Sequence, residues 1–302
     1  MVDEVTHYKP GDVVQPPYFF GVLPPGPHKL GFDDPFNTEG WVDHCRRSAK
    51  KLGIRGSEEL ANPDAPRWKL GLRNMISALG APSLAGRLLI AGSACPRHLL
   101  PIASMIHDVQ LSRGRVSVLD VGGGFGDNFF QLLRVLRRDA IAALDYRVVD
   151  NHRSCELGRE LYARFRVKPT FYTDHTKVPK NNDIALVVGT LQYIANWSAA
   201  LTSISSKADR YLYVARTPIT SGEGFSTIQL VCPTEGSMAG RNLGATAINV
   251  VELRALRSTL RAPWTSMFEF RDVDYSPQFA RLPAPYREAA YYNLGWQRHG
   301  EP

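Results

Sequence analysis

The chain has 302 residues, 44% of them apolar, with 36 Lys and Arg against 29 Asp and Glu and a net charge of +7. That length holds one large α/β domain with an added segment, and the composition is that of a globular chain rather than a disordered or fibrous one. The most apolar early stretch, 87–106, contains Pro96, Arg97, His98 and Pro101, which argues against a membrane span.

"MVDEVTHYKPGD" shows no basic region leading into an apolar one, so no signal peptide is expected and a cytoplasmic location is. Cys45, Cys95, Cys155 and Cys232 are far apart, with no CxxC or Cys/His spacing. Reduced thiols are expected rather than disulfides or structural zinc. His44, His98, His107 and His152 likewise lack ligand spacing, so no metal is expected. The mild basic excess suits an anionic small molecule. Arg46, Arg47, Lys50 and Lys51 share one helix face, but no nucleic-acid motif accompanies them.

In chain order, residues 1–36 mix proline, glycine and aromatics, which predicts an extended arm laid over the body or over a neighbouring subunit, as in a homodimer. Helices are predicted near 40–52, 66–79 and 97–112, completing a largely helical cap over 1–112. From 113 onward strands alternate with helices. Val116 to Val121 forms a buried strand, and Phe129, Leu132, Leu133 and Leu136 recur at i, i+3, i+4 and i+7. Strands follow at 146–150, 169–174, 183–189 and 210–216, with helices around Cys155–Phe165 and Trp197–Ile204. Residues 217–245 read as a loop over the site. Val250, Leu253, Leu256 and Leu260 give a further helix, before closing strands at 266–273 and 290–297. The alternation predicts a parallel, Rossmann-like sheet with helices on both faces and ligands at the carboxyl ends of its strands.

Between the first strand and its helix lies "LDVGGGFGDNFFQLL" (119–133). A plain turn, a dinucleotide cradle and a methyltransferase donor loop are the three readings of such a glycine cluster. GxGxxG fails, because its third glycine would fall on Asp127 or Phe129. The spacing Asp120, Gly122, Gly124, Gly126 resembles the first motif of class I S-adenosylmethionine-dependent methyltransferases. More narrowly, "LDVGGGFGDNFFQ", "YRVVDNHRSCELG", "VVGTLQYI" and "LYVARTP" resemble, in order, a bacterial methyltransferase-like family associated with sugar and secondary-metabolite pathways.

The resemblance implies S-adenosylmethionine as donor, S-adenosylhomocysteine as product, and methylation of an oxygen or nitrogen of a small molecule. It places the donor on Asp120, Gly122, Gly123, Gly124, Phe125 and Gly126. Asp150 and Asn151 would meet its ribose, Asp174 and His175 its adenine, and Gly189, Thr190 and Leu191 its sulfonium end. The acceptor would meet Gln192, Tyr193, Arg216 and Gln229, with Tyr193 and His175 as the catalytic candidates. The loop holds Gln192 and Tyr193 where many small-alcohol methyltransferases carry a histidine, and 241–250 departs from the family pattern. A cofactor-binding but inactive homologue and a nicotinamide-dependent oxidoreductase stand as alternatives.

Overall fold

The computed structural model describes residues 19–24, 34–64, 96–232, 239–272, 279 and 282–299. The helix expected over 66–79, Cys95 and most of the 1–36 arm lie outside these residues.

The described residues begin with a strand, β1 (Phe19–Leu23), followed among them by two helices, α1 (Glu39–Leu52) and α2 (Leu99–Arg113). Thr38 starts α1 by accepting the Trp41 N–H at 3.2 Å, and Gly53 ends it in the left-handed region. The alternating half supplies β2 (Val116–Val121), α3 (Asp127–Leu133), α4 (Arg138–Ala142) and β3 (Leu144–Val149). Then come α5 (His152–Leu161), β4 (Thr170–Tyr172), β5 (Asn182–Val188), α6 (Trp197–Ser205) and β6 (Ala208–Thr220). The remainder is β7 (Phe225–Leu230), β8 (Ala245–Glu252), α7 (Leu253–Thr259), β9 (Trp264–Arg271) and β10 (Ala290–Arg298).

Strands β4, β3, β2, β5 and β6 lie side by side and run parallel. Counted from β2, this is the 3-2-1-4-5 order of a doubly wound sheet, and its switch point falls between β2 and β5. β10 returns antiparallel along β6, and β9 pairs antiparallel with β10. The architecture is the Rossmann-like one expected.

Alternate residues of the strands enter two cores, as a sheet covered on both faces requires. Ile184 and Leu186 of β5 pack with Ile102 and Ile106 of α2 and Phe129 and Phe130 of α3. Ala185 and Val187 face Leu201 of α6, Leu256 of α7 and Trp296 of β10. No described helix is long and apolar enough to cross a membrane.

Two expectations are corrected. Residues 217–245 are not simply a loop: β6 runs on to Thr220, and Phe225–Leu230 forms β7. Nor does the seventh helix begin at Val250, which belongs to β8. β7 and β8 pair antiparallel, β8 joins the far end of β6 through Ile219↔Val251, and β1 borders β7. Over 19–23, then, the arm lies on the body of its own chain. This antiparallel annex rises past the carboxyl edge of the parallel sheet and walls one side of it.

Candidate functional site

The loops leaving β2, β3, β5 and β6 converge at the switch point. Gly122 and Gly124 both have positive φ, 72° and 56°, but for different reasons. A Cβ on Gly122 would run into the Thr190 side chain, so there glycine permits two loops to touch. Thr190 Oγ1 lies 3.2 Å from the Gly122 carbonyl oxygen and 3.1 Å from that of Val188, its one hydroxyl proton serving the two. Among the described residues, a Cβ on Gly124 would meet only Asp127 Oδ1, at 3.7 Å, and one on Gly189 nothing within 4 Å. These two glycines leave room for a ligand on the loop surface.

Asp120 supports the loop from beneath. It is fully buried, with Oδ2 accepting the Tyr146 hydroxyl at 2.7 Å and Asn128 Nδ2 at 3.2 Å. A Cβ on Gly123 would strike this carboxylate, so the loop rests directly on it. Oδ1 is buried with no hydrogen-bond partner among the described residues. Burial pushes the Asp120 carboxyl up to about 7, although the bonds from Tyr146 and Asn128 pull the other way. The folded chain therefore keeps a proton that the unfolded chain has released, and stability falls as pH rises from about 4 through 7. Asp120→Asn, which holds both partners through its carbonyl, is expected to remove roughly 2 kcal/mol of the pH dependence between pH 5 and 8. Denaturant midpoints at the two values check this; an unaltered slope would put the proton elsewhere.

Asp150 ends β3 and braces the loop from the side. Its Oδ2 accepts the Gly124 N–H at 2.9 Å and its Oδ1 the Asn151 N–H at 2.7 Å. The Ser154 side chain bonds the same carboxylate, so three of its roughly four lone-pair sites are used and one remains for a ligand hydroxyl. Burial raises its pKa, while those backbone bonds oppose the shift. Asn151 itself caps α5 through the Ser154 N–H at 3.0 Å.

Asp174 follows β4, at the next strand end. It accepts the Thr176 hydroxyl at 2.7 Å and the Thr176 N–H at 2.8 Å, and the hydroxyl bond is the main cause of its lowered pKa. His175 is exposed beside it. With β3 and β2 lying between β4 and β5, about 14 Å of sheet separates this rim from the turn after β5. The structure therefore does not bring His175 together with Tyr193.

Phe125 and Leu191 are buried in the core, and Thr190 is turned onto Gly122. Gly189, Gln192 and Tyr193 belong to the same turn after β5, with Gln192 buried. Gln192 Nε2 donates to the Gly189 carbonyl at 2.9 Å, and its buried Oε1 has no hydrogen-bond partner among the described residues. Tyr193 donates its hydroxyl to Gln229 Oε1 of β7 at 2.9 Å. The Phe36 ring meets the Tyr193 ring edge-on, centroids 4.9 Å apart.

Several site residues escaped the sequence reading. Asn249 of β8 donates to the carbonyls of Gln192 and Ile194, at 3.3 and 3.0 Å, fixing the turn that bears Tyr193. Asn293 of β10 accepts the Arg216 N–H at 3.0 Å and donates to Asp272 at 3.3 Å. Arg216 itself sits at φ 51°, and its charge interacts with Asp127 and Asp272. Asp127, the residue that broke the dinucleotide pattern, stands in the first turn of α3, its carboxylate held by its own and Asn128's backbone N–H.

No family model matches the chain, and no curated protein does. Among solved structures it resembles magnesium protoporphyrin IX methyltransferase from Synechocystis PCC 6803 with bound donor, at 14% identity and TM-score 0.42 over 76% of this chain and 91% of that one. It resembles a 1,6-didemethyltoxoflavin-N1-methyltransferase from Burkholderia thailandensis at 16% identity and TM-score 0.42, over 78% and 91%. It also resembles an amino pentose methyltransferase from Micromonospora echinaspora at 10% identity and TM-score 0.41, over 78% and 97%. Likenesses at this level decide neither ligand nor reaction.

Proposed function

We propose that this chain is an S-adenosylmethionine-dependent methyltransferase acting on an oxygen or nitrogen of a small molecule, such as a natural-product or sugar intermediate. The reading rests on one arrangement: open space against Gly124, with Asp150 on one side and Asp127 on the other. A dinucleotide would bring a pyrophosphate to this loop, where two carboxylates repel it and Asp127 already takes the backbone N–H groups a phosphate would use. A cationic sulfonium donor meets no such penalty.

Asp150 would hold a ribose hydroxyl of the donor through its remaining lone-pair site, and the backbone of Gly124 and Gly189 would line the donor's path. The donor would supply a methyl group on a positively charged sulfur that leaves as a neutral thioether. For this chain the work is then positioning and exclusion of water, not stabilisation of an anion. Burial raises the Tyr193 pKa, so its phenol remains a hydrogen-bond donor at neutral pH and orients rather than abstracts a proton. Gln192, Tyr193 and Gln229 would face the acceptor from the annex side.

Calorimetric titration with S-adenosylhomocysteine and with NADH tests the reading. Binding of the first alone is expected, and binding of NADH alone would overturn it. Labelled donor with candidate acceptors then separates an active enzyme from a binding-only homologue.

A further inference from the structure

Resting on that donor reading, we propose that Tyr162 is a positioning residue for the donor loop, its hydroxyl fixing the last glycine in the shape that receives the donor. Glycine restrains its own backbone least of all residues. A loop holding four of them must be ordered from outside, or the ligand must order it at a cost in affinity. Gly122 is stopped by Thr190, Gly123 rests on Asp120, and Gly124 is held by Asp150. Gly126 is held by Tyr162, whose hydroxyl donates to its carbonyl at 2.7 Å.

Tyr162 follows α5 directly and is 1% exposed. Its ring is held by neighbours: Phe129 and Phe165 meet it edge-on, with centroids 5.4 and 5.0 Å away, and Phe171 stacks on it at 6.3 Å. Gly126 closes on that ring. It sits at φ 87°, and a Cβ there would come within 3.1 Å of Tyr162 Cε2. Burial raises the phenol's pKa well above its ordinary value, so it stays a hydrogen-bond donor at neutral pH.

A peptide plane is rigid, so fixing the Gly126 carbonyl also fixes the Asp127 N–H on the other side of that plane. This is the plane that joins the loop to α3. α5 therefore grips the loop from both of its ends. Asp150, just before the N-cap Asn151, takes the Gly124 N–H, and Tyr162 at the C-terminal end grips the Gly126 carbonyl. That carbonyl also accepts the Phe130 N–H at 3.1 Å, so it stays paired when the phenol is removed. The loop then loses a restraint while the fold loses little.

Tyr162→Phe removes the hydroxyl and keeps the ring. Tyr213→Phe is the matched control, because Tyr213 is also fully buried and its hydroxyl donates to a backbone carbonyl, that of His98, at 2.9 Å. Thermal midpoints of the two variants should fall alike, by about 2–4 °C. Calorimetry with S-adenosylhomocysteine should separate them: binding about five- to tenfold weaker for Tyr162→Phe, and changed less than about twofold for the control. Hydrogen exchange over 119–133 should be faster than wild type in ligand-free Tyr162→Phe and return to the wild-type rate on saturation. Affinity within about twofold of wild type, an equal loss in the control, or unaltered exchange overturns the positioning role and leaves the donor reading standing. If wild-type protein binds no S-adenosylhomocysteine, the donor reading itself fails and the role of Tyr162 with it.

Discussion

Gly124→Ala is expected to weaken S-adenosylhomocysteine at least about tenfold while lowering stability by only about 1 kcal/mol, the usual cost of a side chain in the left-handed region. Among the described residues the new methyl group has nothing nearer than Asp127 Oδ1 at 3.7 Å, and so it occupies the surface on which the ligand would lie. Gly124→Val extends the obstruction and should abolish binding. Gly122→Ala should do the reverse. Its Cβ collides with Thr190, so stability falls by about 2–4 kcal/mol through backbone strain and displaced packing. Thermal unfolding and calorimetry on the same preparations separate the two glycines. A Gly124→Ala protein that binds like wild type would show that no ligand rests on this surface.

Asp150→Ala is expected to lose about 1.5–3 kcal/mol of donor binding, roughly ten- to hundredfold in affinity. Two losses combine here. A ribose hydroxyl loses its charged acceptor, and the Gly124 N–H loses the partner that sets the height of the loop. Asp150→Asn should fall between, since its carbonyl can still accept one of these bonds. A change of less than about twofold in the alanine variant would assign the ribose to another residue.

The parallel sheet was legible because β2 and β5 are largely apolar runs bounded by turn-forming residues, and α3 and α5 keep a 3.6-residue stripe. The annex was not. Val250, Leu253 and Leu256 fall at helical spacing across the junction of β8 and α7, where no glycine or proline separates strand from helix. Asp120 to Gly126 announced itself through glycine spacing, and Asp150 through its place at a strand end. Asn249 and Asn293 could not. Each is a single amide in an apolar strand, and its role depends on which carbonyl or N–H the sheet register sets opposite it. Thr190 shows the converse limit: spacing placed it at the site, but its side chain is spent on Gly122.

One strand, β6, joins the two parts of this architecture. Its 13 residues pair with β5 from Ala208 to Ala215 and with β10 from Tyr211 to Ile219, and end against β8. The wall bearing Gln229 and Asn249 is therefore joined to the parallel sheet through the end of β6, at Ile219↔Val251 and Thr220↔Glu252. Opposite it, the Phe36 ring of the segment leading into α1 rests edge-on against Tyr193, so this tyrosine is held from two sides, by that ring and by Gln229.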